Sequence, residues 1–231
     1  MARIKGPPGG PDELEITLRR SARAKRISLR VSGRDGAVTL TLPPRVPAGE
    51  GLAFARERAD WIVSAMAKVA PAERVAEGAV IPVEGRELTL VTDGMRGAVR
   101  VEGDCLIVPG SSPAVRVQAF LKHLARQRLI AATDRYAALL GRGYTSITLR
   151  DTRSRWGSCT ATGALNYSWR LAMAPPEVLA YVAAHEVAHL AEMNHSPRFW
   201  AVVERLYPGW QAQRAWLKAH GNRLQSLRFE D

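Results

Sequence analysis

The segment around residues 178–191 constrains the fold most. Val178-Leu179-Ala180-Tyr181-Val182-Ala183-Ala184, then Val187-Ala188 and Leu190-Ala191, predict a helix that is apolar nearly all round. Such a helix is buried. Set into it are His185, Glu186 and His189, and burying two imidazoles and a carboxyl is costly unless they are paired or bound to a metal. The spacing is His-Glu-x-x-His. Residues four apart on a helix differ by about 40° in azimuth, so both imidazoles project from one face and can share one ion. Two neutral imidazoles suit Zn2+, which keeps a position for water and lowers its pKa toward about 7. Glu186 is placed to reach that water as general base. The competing reading is a hydrogen-bonded core cluster without metal.

A third protein ligand is needed. His195 lies six residues past His189, about 240° round a continuing helix and so off the metal face. The helix, expected to run to about Met193, must therefore break first. Asn194 suits a left-handed C-cap. Ser196-Pro197 opens a new helix, with Ser196 as N-cap and Pro197 at its first position. That break lets His195 swing back toward the ion. Glu192 and Glu204 are the competing carboxylate ligands.

The rest of the chain reads as β-rich first and helical later. Residues 1–13 are rich in Gly and Pro and predict a disordered tail. Residues 14–111 form a β-rich N-terminal region. Its strands fall at Glu15–Arg20, Lys25–Val31 and Ala37–Leu42 as a meander, with an amphipathic helix from about Pro47 to Val69 and a second β region from Val80 to Val108. Residues 112–231 form the catalytic half: a long helix opened by Ser112-Pro113 and closed by Gly141, strands at Tyr144–Arg150 and Gly163–Arg170, and three helices, the last stopping at Gly221-Asn222. The fold class is α+β. No internal repeat is apparent.

Net charge is +11 over 231 residues. Lys and Arg number 17 against 14 Asp and Glu in residues 1–111, and 16 against 8 in residues 112–231, so the excess sits in the catalytic half. That surface is either simply solvated or binds polyanions, nucleic acid included, weakly. There is no apolar run of membrane-spanning length and no secretory leader pattern. The two cysteines, Cys105 and Cys159, form no framework of bridges, which predicts a cytoplasmic protein.

Arg153-Ser154-Arg155-Trp156-Gly157-Ser158-Cys159 is a dense cluster in an expected loop. Arg153 and Arg155 are suited to hold a carboxylate or phosphate of a substrate. Asn166 is one of few polar residues on the next strand and is a candidate to face the same cleft. Cys159 is a weaker candidate ligand, since a lone cysteine is more often packed.

Together, Arg155-Trp156-Gly157-Ser158-Cys159, Gly163-Ala164-Leu165-Asn166, Tyr181-Val182, His185-Glu186-Val187-Ala188-His189-Leu190 and Asn194-His195-Ser196-Pro197-Arg198-Phe199-Trp200 resemble the YgjP-like metallopeptidase family, related to SprT-like proteases. Arg26–Val31 and Asp60-Trp61-Ile62 extend the resemblance upstream. It implies a minimal zincin-like core with a small sheet, three histidine ligands (His185, His189 and His195) and Glu186 as catalytic residue. The expected activity is hydrolysis of a polypeptide substrate by a zinc-activated water, pairing the substrate with an edge strand such as Gly163–Arg170. Two alternatives stay open: a metal-dependent nucleotide phosphohydrolase using Arg153 and Arg155, and a nucleic-acid-binding module with a structural metal. An intact Glu186 speaks against the last.

Overall fold

The structure, a computed structural model, describes residues 1–33, 35–69, 71–152 and 155–229. The chain divides into two compact units, Met1–Ala72 and Glu73–Asp231. No described helix is long and apolar enough to cross a membrane.

The first unit holds β1 (Ala2–Lys5), β2 (Glu13–Arg20), β3 (Ser28–Val31), β4 (Val38–Leu42), α1 (Ala48–Glu57) and α2 (Ala59–Met66). The segment expected to be a disordered tail contributes β1, which pairs antiparallel with β2 and buries Ile4. The strands are not a meander. Their order is β1-β2-β4-β3, with β4 parallel to β2 and antiparallel to β3. Alternation puts Leu14, Ile16, Val38, Leu40 and Leu42 on the buried face. The expected single helix is two, broken at Arg58. Arg20, at the end of β2, is not a free cation: its Nη1 donates to the carbonyls of Pro44 and Val46 at 2.9 and 2.8 Å.

The second unit begins with β5 (Glu73–Arg74), β6 (Val80–Val83), β7 (Arg86–Thr92), β8 (Arg100–Glu102) and β9 (Cys105–Val108). The sheet β6-β7-β9-β8 repeats the order and strand directions of the first, and a helix again follows, so a topological repeat exists where the sequence shows none. The sequence divides the chain at 111/112; the compact units divide at 72/73. The reason is a shared core: Leu90 and Leu106 of this sheet pack in one cluster with Val117, Leu121, Leu165 and Val182.

α3 (Pro113–Leu140) ends on Gly141, whose φ of 71° is the left-handed cap that glycine adopts without strain. Next come β10 (Ser146–Arg150), β11 (Gly157–Cys159), β12 (Ala164–Ser168) and a 3₁₀ turn at Trp169–Met173. α4 (Pro176–Ala188), α5 (Pro197–Leu206), α6 (Trp210–Ser226) and β13 (Leu227–Arg228) complete the chain, β13 pairing with β5. The α+β class stands. The order β10-β12-β11 makes β12 central, so the strand expected to offer an edge is paired on both sides and β11 is an edge instead.

α6 does not stop at Gly221. A Cβ there would lie 2.9 Å from Trp156 Cζ2, so the glycine is a notch for an indole rather than a terminator. Arg170 closes the unit. It is 1% exposed; its Nε donates to Asp151 at 2.7 Å and its Nη1 to the carbonyls of Leu224 and Leu227 at 2.7 and 3.1 Å. Its guanidinium carbon also sits 4.7 Å from the Trp169 ring centroid. One cation thus ties the end of β10 to the end of α6. Arg170→Met would leave the two carbonyls and Asp151 unsatisfied, and is expected to cost about 3 kcal/mol. Urea unfolding measures this; a loss below about 1 kcal/mol would show that the tie is dispensable.

Candidate metal centre

α4 carries His185 and Glu186 and ends at Ala188, with His189 as its C-cap. The expected run to Met193 fails because the next turn tightens: Leu190 and Ala191 N–H donate to the carbonyls of Val187 and Ala188, three residues back. His189 Nδ1–H donates to the Glu192 carbonyl at 3.0 Å, which leaves its Nε2 as the bare nitrogen. Glu192 thus enters through its main chain.

Asn194 is not left-handed; among the described residues only Glu84 and Ser112 combine a side chain with positive φ. It shapes the break differently, its Oδ1 accepting from Ser196 N–H at 3.2 Å. Ser196 then caps α5, accepting from Phe199 N–H at 3.4 Å. This turn carries His195 back over α4, its Nε2 3.2 Å from His185 Nε2. One ligand atom from each of His185, His189 and His195 lies within 4.8 Å of the others. Glu204 points elsewhere, accepting from Gly209 N–H at 3.4 Å.

The donor set fits a divalent metal. Burial, then the neighbouring His189 and His195, hold His185 down to about 3, and burial lowers His189 too. Both rings are therefore uncharged near neutral pH and offer lone pairs. Two facing Nε2 atoms at 3.2 Å satisfy each other only if one carries the proton, and His185 Nδ1 is buried with no partner among the described residues. A cation shared by the Nε2 lone pairs would take the place of that proton.

An aromatic stack supports the rings. Phe199 stacks on His189 at 4.4 Å and meets His185 and His195 edge-on at 4.9 and 4.8 Å. Trp200 stacks on His195 at 5.8 Å and on Trp210 at 4.2 Å. Phe199 and Trp200 follow His195 by four and five residues, which is the only trace of this role in the sequence.

Glu186 is 5% exposed, and burial pushes its carboxyl up to about 8, with Arg155 pulling the other way. It lies hard against β11: a Cβ at Gly157 would sit 2.5 Å from Glu186 Cγ and Oε1. Gly157 is required for that approach, a function the sequence did not reveal.

A cavity of about 580 Å³ opens over these groups. Trp156, Gly157, Ser158 and Cys159 line it, together with Arg214, Leu217 and Lys218 of α6. Arg155 lines it as expected. Arg153 lies outside the described residues. Asn166 is not among the described lining residues; its neighbours Leu165 and Tyr167 face the core. Cys159 lines the wall, donating Sγ–H to the Thr160 carbonyl at 3.3 Å, and is not in the histidine cluster. Arg214 lies close enough for its charge to bear on His185 and Tyr181.

A family model described as YgjP-like, metallopeptidase domain, matches residues 25–220. No curated protein matches the chain. Among solved structures, the crystal structure of the metallopeptidase zymogen of Pyrococcus abyssi abylysin is similar, with 21% identity and a TM-score of 0.36, over 40% of this chain and 92% of that one. With its family model spanning most of its length, the chain belongs to the YgjP-like metallopeptidase family.

Proposed function

We propose that the chain is a zinc-dependent peptidase with His185, His189 and His195 as ligands and Glu186 as general base. The observation that carries this reading is the convergence of three imidazoles beside a buried carboxyl, at the floor of an open cavity. A zinc ion in this cluster supplies Lewis acidity to water and to the scissile carbonyl.

The protein's own groups do the rest. Glu186, its proton affinity raised by burial into the range near neutrality, takes a proton from the attacking water and passes it to the leaving amine. The edge of β11 lies along the cavity wall and pairs with an extended peptide, holding its carbonyl toward the histidines. The aromatic stack keeps His195 from swinging into solvent, where its exposure would otherwise leave it free. The open cavity and the buried base favour catalysis over a closed structural site.

Glu186→Gln is expected to lower turnover of an unfolded polypeptide by on the order of 10²-fold or more while zinc content is unchanged. Wild-type turnover in the variant would remove Glu186 from the reaction.

The same substitution has a stability signature in metal-free protein. The ordinary carboxyl value of 4.5 is raised to about 8 on folding. Between those pH values the folded state keeps a proton that the unfolded state has released, so this group's contribution to stability falls as pH rises. His185 gives the opposite slope between about 3 and 6.5, but it is common to both proteins and cancels. Metal-free Glu186→Gln is expected to gain on wild type from pH 5 to pH 8, by on the order of a few kcal/mol. Equal differences at the two pH values, measured by urea unfolding, would contradict the raised value.

A further inference from the structure

The cavity is strongly one-signed. Arg155, Arg214 and Lys218 line it, and the sole lining carboxyl among the described residues is Glu186, buried at its floor. None of the three cations has an acidic partner among the described ion pairs. Arg214 is nevertheless held in place. Its guanidinium carbon sits 5.2 Å from the Trp200 ring centroid and 5.8 Å from that of Trp210, the two indoles stacked on each other. A guanidinium fixed on aromatic faces keeps its N–H fork free for a planar anion and loses little freedom on binding.

Lys218 follows Arg214 by one helical turn, so both side chains share one face of α6, with Leu217 beside them. Like charges at this spacing disfavour a helix unless an anion relieves them. Arg155, two residues before the edge strand β11, lines the same cavity. Three cations sharing one cavity with apolar Met193, Leu217 and Trp156 suit an anion attached to an apolar chain. A peptide strand laid along β11 supplies that combination. Paired cations also hold a nucleotide's phosphates, which is the competing occupant in the test.

We infer that Arg214, with Lys218 and Arg155, selects peptides bearing a carboxylate close to the scissile bond, either an acidic side chain or the free C-terminus. This rests on the peptidase reading of the same cavity. Arg214 is the specificity-determining residue, fixed by Trp200 and Trp210.

The test uses zinc-supplied full-length Glu186→Gln, which holds peptides without turning them over, and one peptide sequence in four forms. The C-terminus is free or amidated, and the internal acidic residue is Asp or Asn. Removing the recognised carboxylate is expected to weaken binding about tenfold or more, the scale of a hydrogen bond to a charged group. Loss on amidation identifies the terminus as the source; loss on Asp-to-Asn exchange identifies the side chain. Adding Arg214→Met should abolish the discrimination, bringing the acidic and neutral peptides to the same affinity, while Arg214→Lys should restore part of it. Lys218→Glu, at an exposed position, provides a second check and should shift preference toward a lysine-bearing peptide.

Equal binding of all four peptides, or an Arg214→Met change that weakens acidic and neutral peptides alike, overturns the inference. So does adenosine triphosphate binding tighter than every acidic peptide. Wild-type cleavage of neutral and acidic peptides with equal kcat/KM would retain the peptidase and remove the selectivity. Carboxylate-selective binding with no cleavage by wild type would retain the recognition and remove the peptidase chemistry.

Discussion

Desolvation along α4 is the constraint on which the site depends. Val182, Ala183, Ala184, Val187 and Ala188 are buried, and the same helix takes Glu186 and His189 with it into the core. Burial strips these groups of water and sets their protonation in opposite senses. It keeps the imidazoles of His185 and His189 uncharged and the carboxyl of Glu186 protonated to a higher pH than usual. Uncharged imidazoles are what a metal requires, and a carboxyl that holds its proton near neutrality is suited to proton transfer. One buried helix thus sets up both halves of the proposed chemistry.

The surrounding structure serves to make that burial tolerable and exact in position. Gly157 lets the β11 backbone approach Glu186, and Gly221 lets Trp156, the residue before Gly157, lie against α6. Arg170 ties the end of α6 to Asp151, at the start of the segment that leads into β11. On the other side, Phe199 touches all three histidine rings, and Trp200 links His195 to Trp210 and Arg214. His195, the proposed third ligand, comes from an exposed turn, so its position depends on this stack and on the caps of the turn at Asn194 and Ser196.

The pair His185 and His189, the break before His195 and the cap at Ser196 were legible because each rests on local rules: helical period, proline at the first helical position and a side-chain oxygen preceding it. The manner of the break was not. Asn194 acts by a side-chain bond to Ser196, and the turn is closed by the Glu192 carbonyl, a main-chain contact no residue type announces. Asn166 illustrates the same limit, because the face of a strand depends on pairing register, and β12 turned out to be central. Gly221 reads as a helix stop by composition; only the position of Trp156, distant in sequence, explains it as a packing notch. The sequence divides the chain at 111/112 and the compact units divide it at 72/73, because the second sheet's apolar positions give no sign of which helix will cover them.

X-ray absorption at the zinc edge, on protein purified in the presence of zinc, tests whether three imidazoles, and no other side chain, hold the metal. Three imidazole nitrogens are expected, with any remaining scatterer oxygen, and one imidazole fewer in His195→Ala. A sulfur scatterer, which would bring Cys159 into the site, or an unchanged imidazole count in His195→Ala, would contradict that ligand set.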